Sequence, residues 1–155
     1  MKKRILALVL FVSLLLSLVS CDLLWGKVDE SGKVTVVVEN MDGSYDVFTA
    51  SLDDVENKSE GAKGIVEHLK KENNLQVKMV ESTYGAYVAG IGKIHEDSSA
   101  GKYVMVYTSV ASDGYDGGAT VDYNGTTMHM AGVGLSGMSV EAGTIILFRL
   151  ESSPY

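Results

Sequence analysis

The hydrophobic pattern changes period along the chain, and the changes mark out its elements. KVTVVVEN, residues 33–40, is Val-rich, and MDGS follows it as a turn signal before YDVFTAS, the predicted return strand of a hairpin. From Ser59 to Asn73 the period lengthens. Ala62, Ile65, Val66 and Leu69 recur at helical spacing, Glu67, Lys70, Lys71 and Glu72 occupy the other side, and Asn73-Asn74 gives a stop. LQVKMVES and YVMVYTSV then alternate, the second placing Val104, Val106 and Val110 against Tyr103, Met105, Tyr107 and Ser109. ATVDY and TTMHM flank Asn124-Gly125, the strongest short hairpin signal in the chain. GTIILFRL, residues 143–150, is apolar on both faces for most of its length, as VTVVV nearly is. Strands with no wet face belong in the middle of a sheet, so the first and last strands are expected as central neighbours. The pattern predicts an α+β domain: a β-grasp-like mixed sheet with one main helix packed on one face, its valine side against the helix.

The N-terminus follows a different logic. Lys2, Lys3 and Arg4 precede ILALVLFVSLLLSLVS, which ends directly before Cys21, the layout of a signal peptide over residues 1–20. The run also approaches the length of a membrane-spanning helix, which is the alternative reading. LVSC, residues 18–21, resembles the bacterial lipobox, and that resemblance implies a diacylated Cys21 at the mature N-terminus, anchored to the cell membrane on its extracytoplasmic face. Two acyl chains hold far better than one. Cys21 is the only cysteine, so on this reading the mature protein has neither a disulfide nor a catalytic thiol. Residues 21–32 read as a lipidated tether and residues 33–151 as a single domain.

Charge narrows the partners. Residues 1–20 carry three of the thirteen cationic side chains and none of the twenty acidic ones, so removing them takes the net charge from −7 to −10. Such a surface repels phosphates, and nucleic acid is not expected as a partner.

Several segments together resemble a known family. GAKGIVEHLKKEN, followed by STYGAYVAGIGKI, GKYVMVYTSV and GLSGMSVEAGTIILF, is similar to the β-grasp ligand-binding domain at the C-terminus of transcobalamin and intrinsic factor, also found in bacterial lipoproteins of an uncharacterised family. The likeness spans residues 34–151. It implies a soluble ligand, corrinoid-like in the characterised members, and an uptake system or transporter component as partner. Val104 stands where the family usually has tryptophan, and Thr108-Ser109 where it has Asn-Gly.

STYGAYVAGIGKI, residues 82–94, mixes tyrosines with Gly85, Gly90 and Gly92, which suits a bulged or kinked strand at a sheet rim. If it pairs near YVMVYTSV, then Tyr84, Tyr87, Tyr103, Met105 and Tyr107 form one aromatic face able to hold a planar or apolar ligand. The plainer reading makes the same side chains core beneath a loop. A metal site is the alternative function. Asp113 and Asp116 in ASDGYDGG, with Asp122 after them, offer oxygens to Ca2+, and His95 before Glu96-Asp97 offers an imidazole to a transition metal. The D-x-[DN]-x-[DN]-G spacing is absent, and Asp-Gly pairs also serve as plain turns. Catalysis is not expected: HLKKE, residues 68–72, lacks the second histidine of HExxH, and neither GxSxG nor a P-loop occurs.

Overall fold

The protein is described from a computed structural model, which covers residues 32–83 and 85–152. The leader, Cys21 and Tyr84 lie outside the described residues. The elements are β1 (Lys33–Glu39), β2 (Tyr45–Ser51), α1 (Gly61–Glu72), β3 (Val77–Val80), β4 (Tyr87–Ile91), β5 (Ile94–His95), β6 (Lys102–Thr108), β7 (Thr120–Tyr123), β8 (Thr126–Met130) and β9 (Ile145–Ser152). They form a mixed six-stranded sheet of order β2-β1-β9-β6-β8-β7, a small sheet of order β3-β4-β5, and one main helix. Together they make the α+β architecture that the periodicity predicts.

β1 and β9 run parallel at the centre, Val36 opposite Ile146 and Val38 opposite Phe148. Both faces of this pair are buried, as strands without a polar face require. Val34, Val36, Val38, Ile146 and Phe148 meet Ala62, Ile65, Val66 and Leu69 of α1 in the larger core. Each fully buried aliphatic side chain there contributes roughly 2 kcal/mol of transfer free energy. The helix stops where the paired asparagines stand. Asn73 donates its N–H to the Leu69 carbonyl, and Asn74 takes a left-handed φ of 53°.

The opposite face carries a second core, in which Val37 and Leu147 from the central strands pack against Tyr107, Tyr123 and Met128. Tyr123 is on β7 at one edge of the sheet, yet its ring centroid lies 5.2 Å from that of Tyr45 on β2 at the other edge, with the planes at 75°. Five interstrand spacings in a flat sheet would separate those strands by about 24 Å. The sheet is therefore strongly curled, and the β7–β8 hairpin folds back across its own face. Only Tyr107↔Met130 and Thr108↔His129 pair β8 to β6, against seven residue pairs between β6 and β9. Leaving the ladder so early frees the hairpin to turn over.

STYGAYVAGIGKI does not pair with YVMVYTSV. Its strand β4 lies between β3 and β5, in a sheet of its own. The expected irregularity is present: the register slips at Lys78/Met79 so that Gly90 and Val88 are successive partners, leaving Ala89 as the extra residue.

Candidate ligand site

The candidate site is a shallow apolar groove between β4 and β6. β8 leaves the ladder at Met130, and the chain beyond it crosses to the small sheet. Ala131 donates its N–H to the Val106 carbonyl at 2.9 Å, and Leu135 donates to the Ala86 carbonyl at 3.0 Å. The space left between has a volume of about 110 Å3, and its lining includes Tyr87, Val104, Met105, Val133 and Leu135. None of the described residues lining it is charged. Gly85 stands where two chain segments cross, beside Gly134, and its φ of +98° favours a residue without a side chain.

Val104 places its backbone in this gap. Ser109 donates to the Ile145 carbonyl, which sets the odd-numbered residues of β6 bonding to β9 and turns the even-numbered ones to the other side. On that side Lys102 exchanges both bonds with Asp97, and the Val106 carbonyl takes the Ala131 N–H. Val104, between them, faces the groove. No pair joins β4 to β6 across it.

The structure divides the five expected ligand-binding residues. Tyr87 is 44 % exposed at the groove mouth and Met105 is half-buried in its wall, so these two are brought together. Tyr103 is 38 % exposed on β6 but lies outside the groove lining. Tyr84 falls outside the described residues. Tyr107 is placed differently from the expected open face: it is 1 % exposed, sealed in the second core by the folded-over hairpin. Its hydroxyl donates to the Glu151 carboxylate, 3.0 and 3.1 Å from the two oxygens. Burial, and then the negative charge of Glu151, push the phenol up to about 12. Arg149 sits between Glu151 at 3.0 Å and Glu39 at 3.4 Å, giving the curled face a charged end. That cluster was not among the residues expected from sequence. Its signal was charge set into two largely apolar strands, Glu39 in VTVVVE and Arg149 with Glu151 in LFRLE.

The four metal candidates are not gathered. Among the described residues, no group of three or more His, Cys, Asp or Glu side chains is placed to hold an ion. Asp113 instead accepts the backbone N–H of Ser139 at 2.6 Å and its hydroxyl at 3.1 Å, tying two loops together. Asp122 accepts the Gly125 N–H of the hairpin turn at 3.1 Å. Asp116 is exposed in its loop, and His95 is exposed on β5 beside Gly90.

Among the described residues lie two larger open clefts, of about 620 and 590 Å3. The first is lined by Glu39, His95, Asp97, Lys102 and Arg149 among others, and the second by acidic residues, His68 and Lys71 of α1 and the loop before it. Both carry several charged side chains in their lining, which suits water better than a flat apolar molecule.

No family model and no curated protein match the chain. Solved structures do. A "putative metal binding protein" from Ruminococcus gnavus is 15 % identical, with 79 % of this chain and 99 % of that one covered and a TM-score of 0.54. Haptocorrin, of the transcobalamin family, solved in complex with Cbi, is 14 % identical over 77 % of this chain, with a TM-score of 0.50. This chain spans 25 % of haptocorrin's length. At these identities the likeness is one of fold: the chain carries a transcobalamin-like domain fold, the architecture that its sequence resemblance implies.

Proposed function

We propose that this protein is an extracytoplasmic lipoprotein, anchored through Cys21, whose domain holds a flat and largely apolar ligand by one edge for an uptake system. The observation that supports this best is the uncharged groove with Tyr87 at its mouth and Val133, another exposed apolar residue, on its rim. Sites that enclose a whole small molecule run to roughly 300–1,000 Å3, and about 110 Å3 seats only part of one. The remainder of the ligand lies over Tyr87 and Val133, whose apolar surfaces drive the contact. A corrinoid has the required shape, with a broad ring to offer edge-on, and the domain holds it without chemical conversion.

Titrating the full chain with corrinoids, followed by heat and by tyrosine fluorescence, tests this. Tyr87→Ala is expected to weaken binding about tenfold, equivalent to ~1.4 kcal/mol, with an unchanged melting temperature, because the side chain is exposed. No heat with any corrinoid, or equal binding by the variant, would remove the groove from the proposal.

The name of the Ruminococcus gnavus neighbour keeps a metal role as the alternative reading. A metal that binds the native state must stabilise it. Since Asp113, Asp116, Asp122 and His95 are not assembled into a site, Ca2+, Zn2+ or a chelator is expected to leave the melting temperature within about 1 °C. A metal-dependent rise of several degrees, which corresponds to about 1 kcal/mol in a domain of this size, would favour the alternative.

A further inference from the structure

The outer strand of the curled sheet has an open edge. Asn40 donates to the Ser44 carbonyl, which makes that pair a hydrogen-bonded one. Alternation along the antiparallel ladder then gives the same role to Val38–Asp46, Val36–Phe48 and Val34–Ala50. Tyr45, Val47 and Thr49 therefore turn their N–H and C=O groups away from β1, and among the described residues β2 has no strand on its other side. These three side chains also share one face of the sheet. Tyr45 is 45 % exposed and meets Tyr123 from across the curl, but Val47 is 51 % exposed and Thr49 is exposed, so the folded-over hairpin leaves the rest of the strand clear.

Edge strands of soluble proteins are ordinarily protected by lysine, proline, a bulge or a covering loop. β2 carries neither lysine nor proline, and its register with β1 is unbroken over seven pairs. The charges beside it are of one sign in excess. Asp46 is the strand's single charged residue, partly met by Lys93 at 3.4 Å, and Asp122 is exposed on the opposite edge strand β7. The whole chain carries −7.

We propose that β2 is a docking rail for an extended segment of a partner protein that alternates apolar and basic residues and adds as a seventh strand. Main-chain groups of Tyr45, Val47 and Thr49 supply its hydrogen bonds, in the strand-addition mode. Residues directly opposite share a face, so the segment places apolar side chains against Tyr45 and Val47 and a basic one against Asp46. A second copy of this chain fits less well, because it would bring another net-anionic surface to an edge whose Asp46 already has Lys93 as the cation beside it.

The probe is a blocked seven-residue peptide alternating lysine and valine, added to the full chain and followed by calorimetry and amide hydrogen exchange. Slowed exchange at Tyr45, Val47 and Thr49 is expected, with affinity falling as salt is raised. Val47→Pro removes an outward N–H and no bond to β1, so it is expected to keep the fold and weaken binding at least tenfold. Val47→Lys, which protects the edge by charge, gives the same loss if the proline variant fails to fold. A peptide with its lysines and valines in separate blocks should bind at least tenfold more weakly. No peptide binding, equal binding by both Val47 variants, or equal binding of the blocked-order peptide would overturn the proposal. So would a concentration-dependent dimer of the unliganded chain that Val47→Lys abolishes, since the rail would then serve a second copy. None of these outcomes depends on Tyr87 or the groove.

Discussion

Gly64→Ala is expected to destabilise the domain by about 2 kcal/mol, against the usual benefit of replacing a helical glycine. Helix propensity alone favours alanine by about 1 kcal/mol. Gly64, however, lies on the buried side of α1, where a Cβ would overlap the backbone carbonyl oxygen of Asn57. Backbone cannot rotate aside as a side chain can, and overpacking of this kind costs typically 1–3 kcal/mol and occasionally more. The steric effect therefore wins. Urea unfolding should show a lower midpoint at unchanged slope, while Lys70→Ala on the exposed side of the same helix stays within about 0.5 kcal/mol of the parent. A Gly64→Ala variant as stable as the parent would mean that the loop before α1 does not rest against it.

Tyr107→Ala is expected to cost about 3–5 kcal/mol, as large truncations in closed cores do, and to abolish folding before it reports on any ligand. Tyr107→Phe keeps the ring but removes the donor to Glu151, for a cost of about 1–2 kcal/mol. The two variants also separate by pH. The phenol titrates near 10.0 when unfolded and at about 12 when folded, so folding favours its protonated form. That stabilisation is complete below pH 10 and is lost as pH rises through 12. The phenylalanine variant lacks this step, so its stability at alkaline pH should fall less steeply than the parent's. Equal slopes between pH 10 and 12 would contradict the buried phenol.

These two positions mark the limit of what the sequence discloses. The helix, the β1–β2 hairpin and the Asn124-Gly125 hairpin were legible because local periodicity and turn chemistry specify them. The central position of β9 was legible too, since IILF has no face that water would accept. Tyr107 was not. Its alternation with Val106 correctly assigned it to the face away from α1, but whether that face is wet depends on the curl of the sheet and on a hairpin that returns across it. Curl is the sum of small twists over six strands, and no single residue announces it. The groove was half legible for the same reason. Tyr87 and Met105 were expected together on one paired sheet, whereas they meet across a gap between two sheets. The wall that joins them, Gly132 to Met138, carries no periodic pattern.

The place of β9 also fixes an order of events during synthesis. It is the last of the described strands in chain order, yet it supplies the shared neighbour of β1 and β6. Until residues 145–152 leave the ribosome, the early hairpin and the later meander have nothing between them to join. The six-stranded sheet must therefore stay open until β9 is available, and the pairing of β1 with β9 is long in sequence separation and correspondingly slow. A domain assembled this way is kept incomplete by its own topology while it is being made, and closes only when the eight-residue β9 slides into the middle.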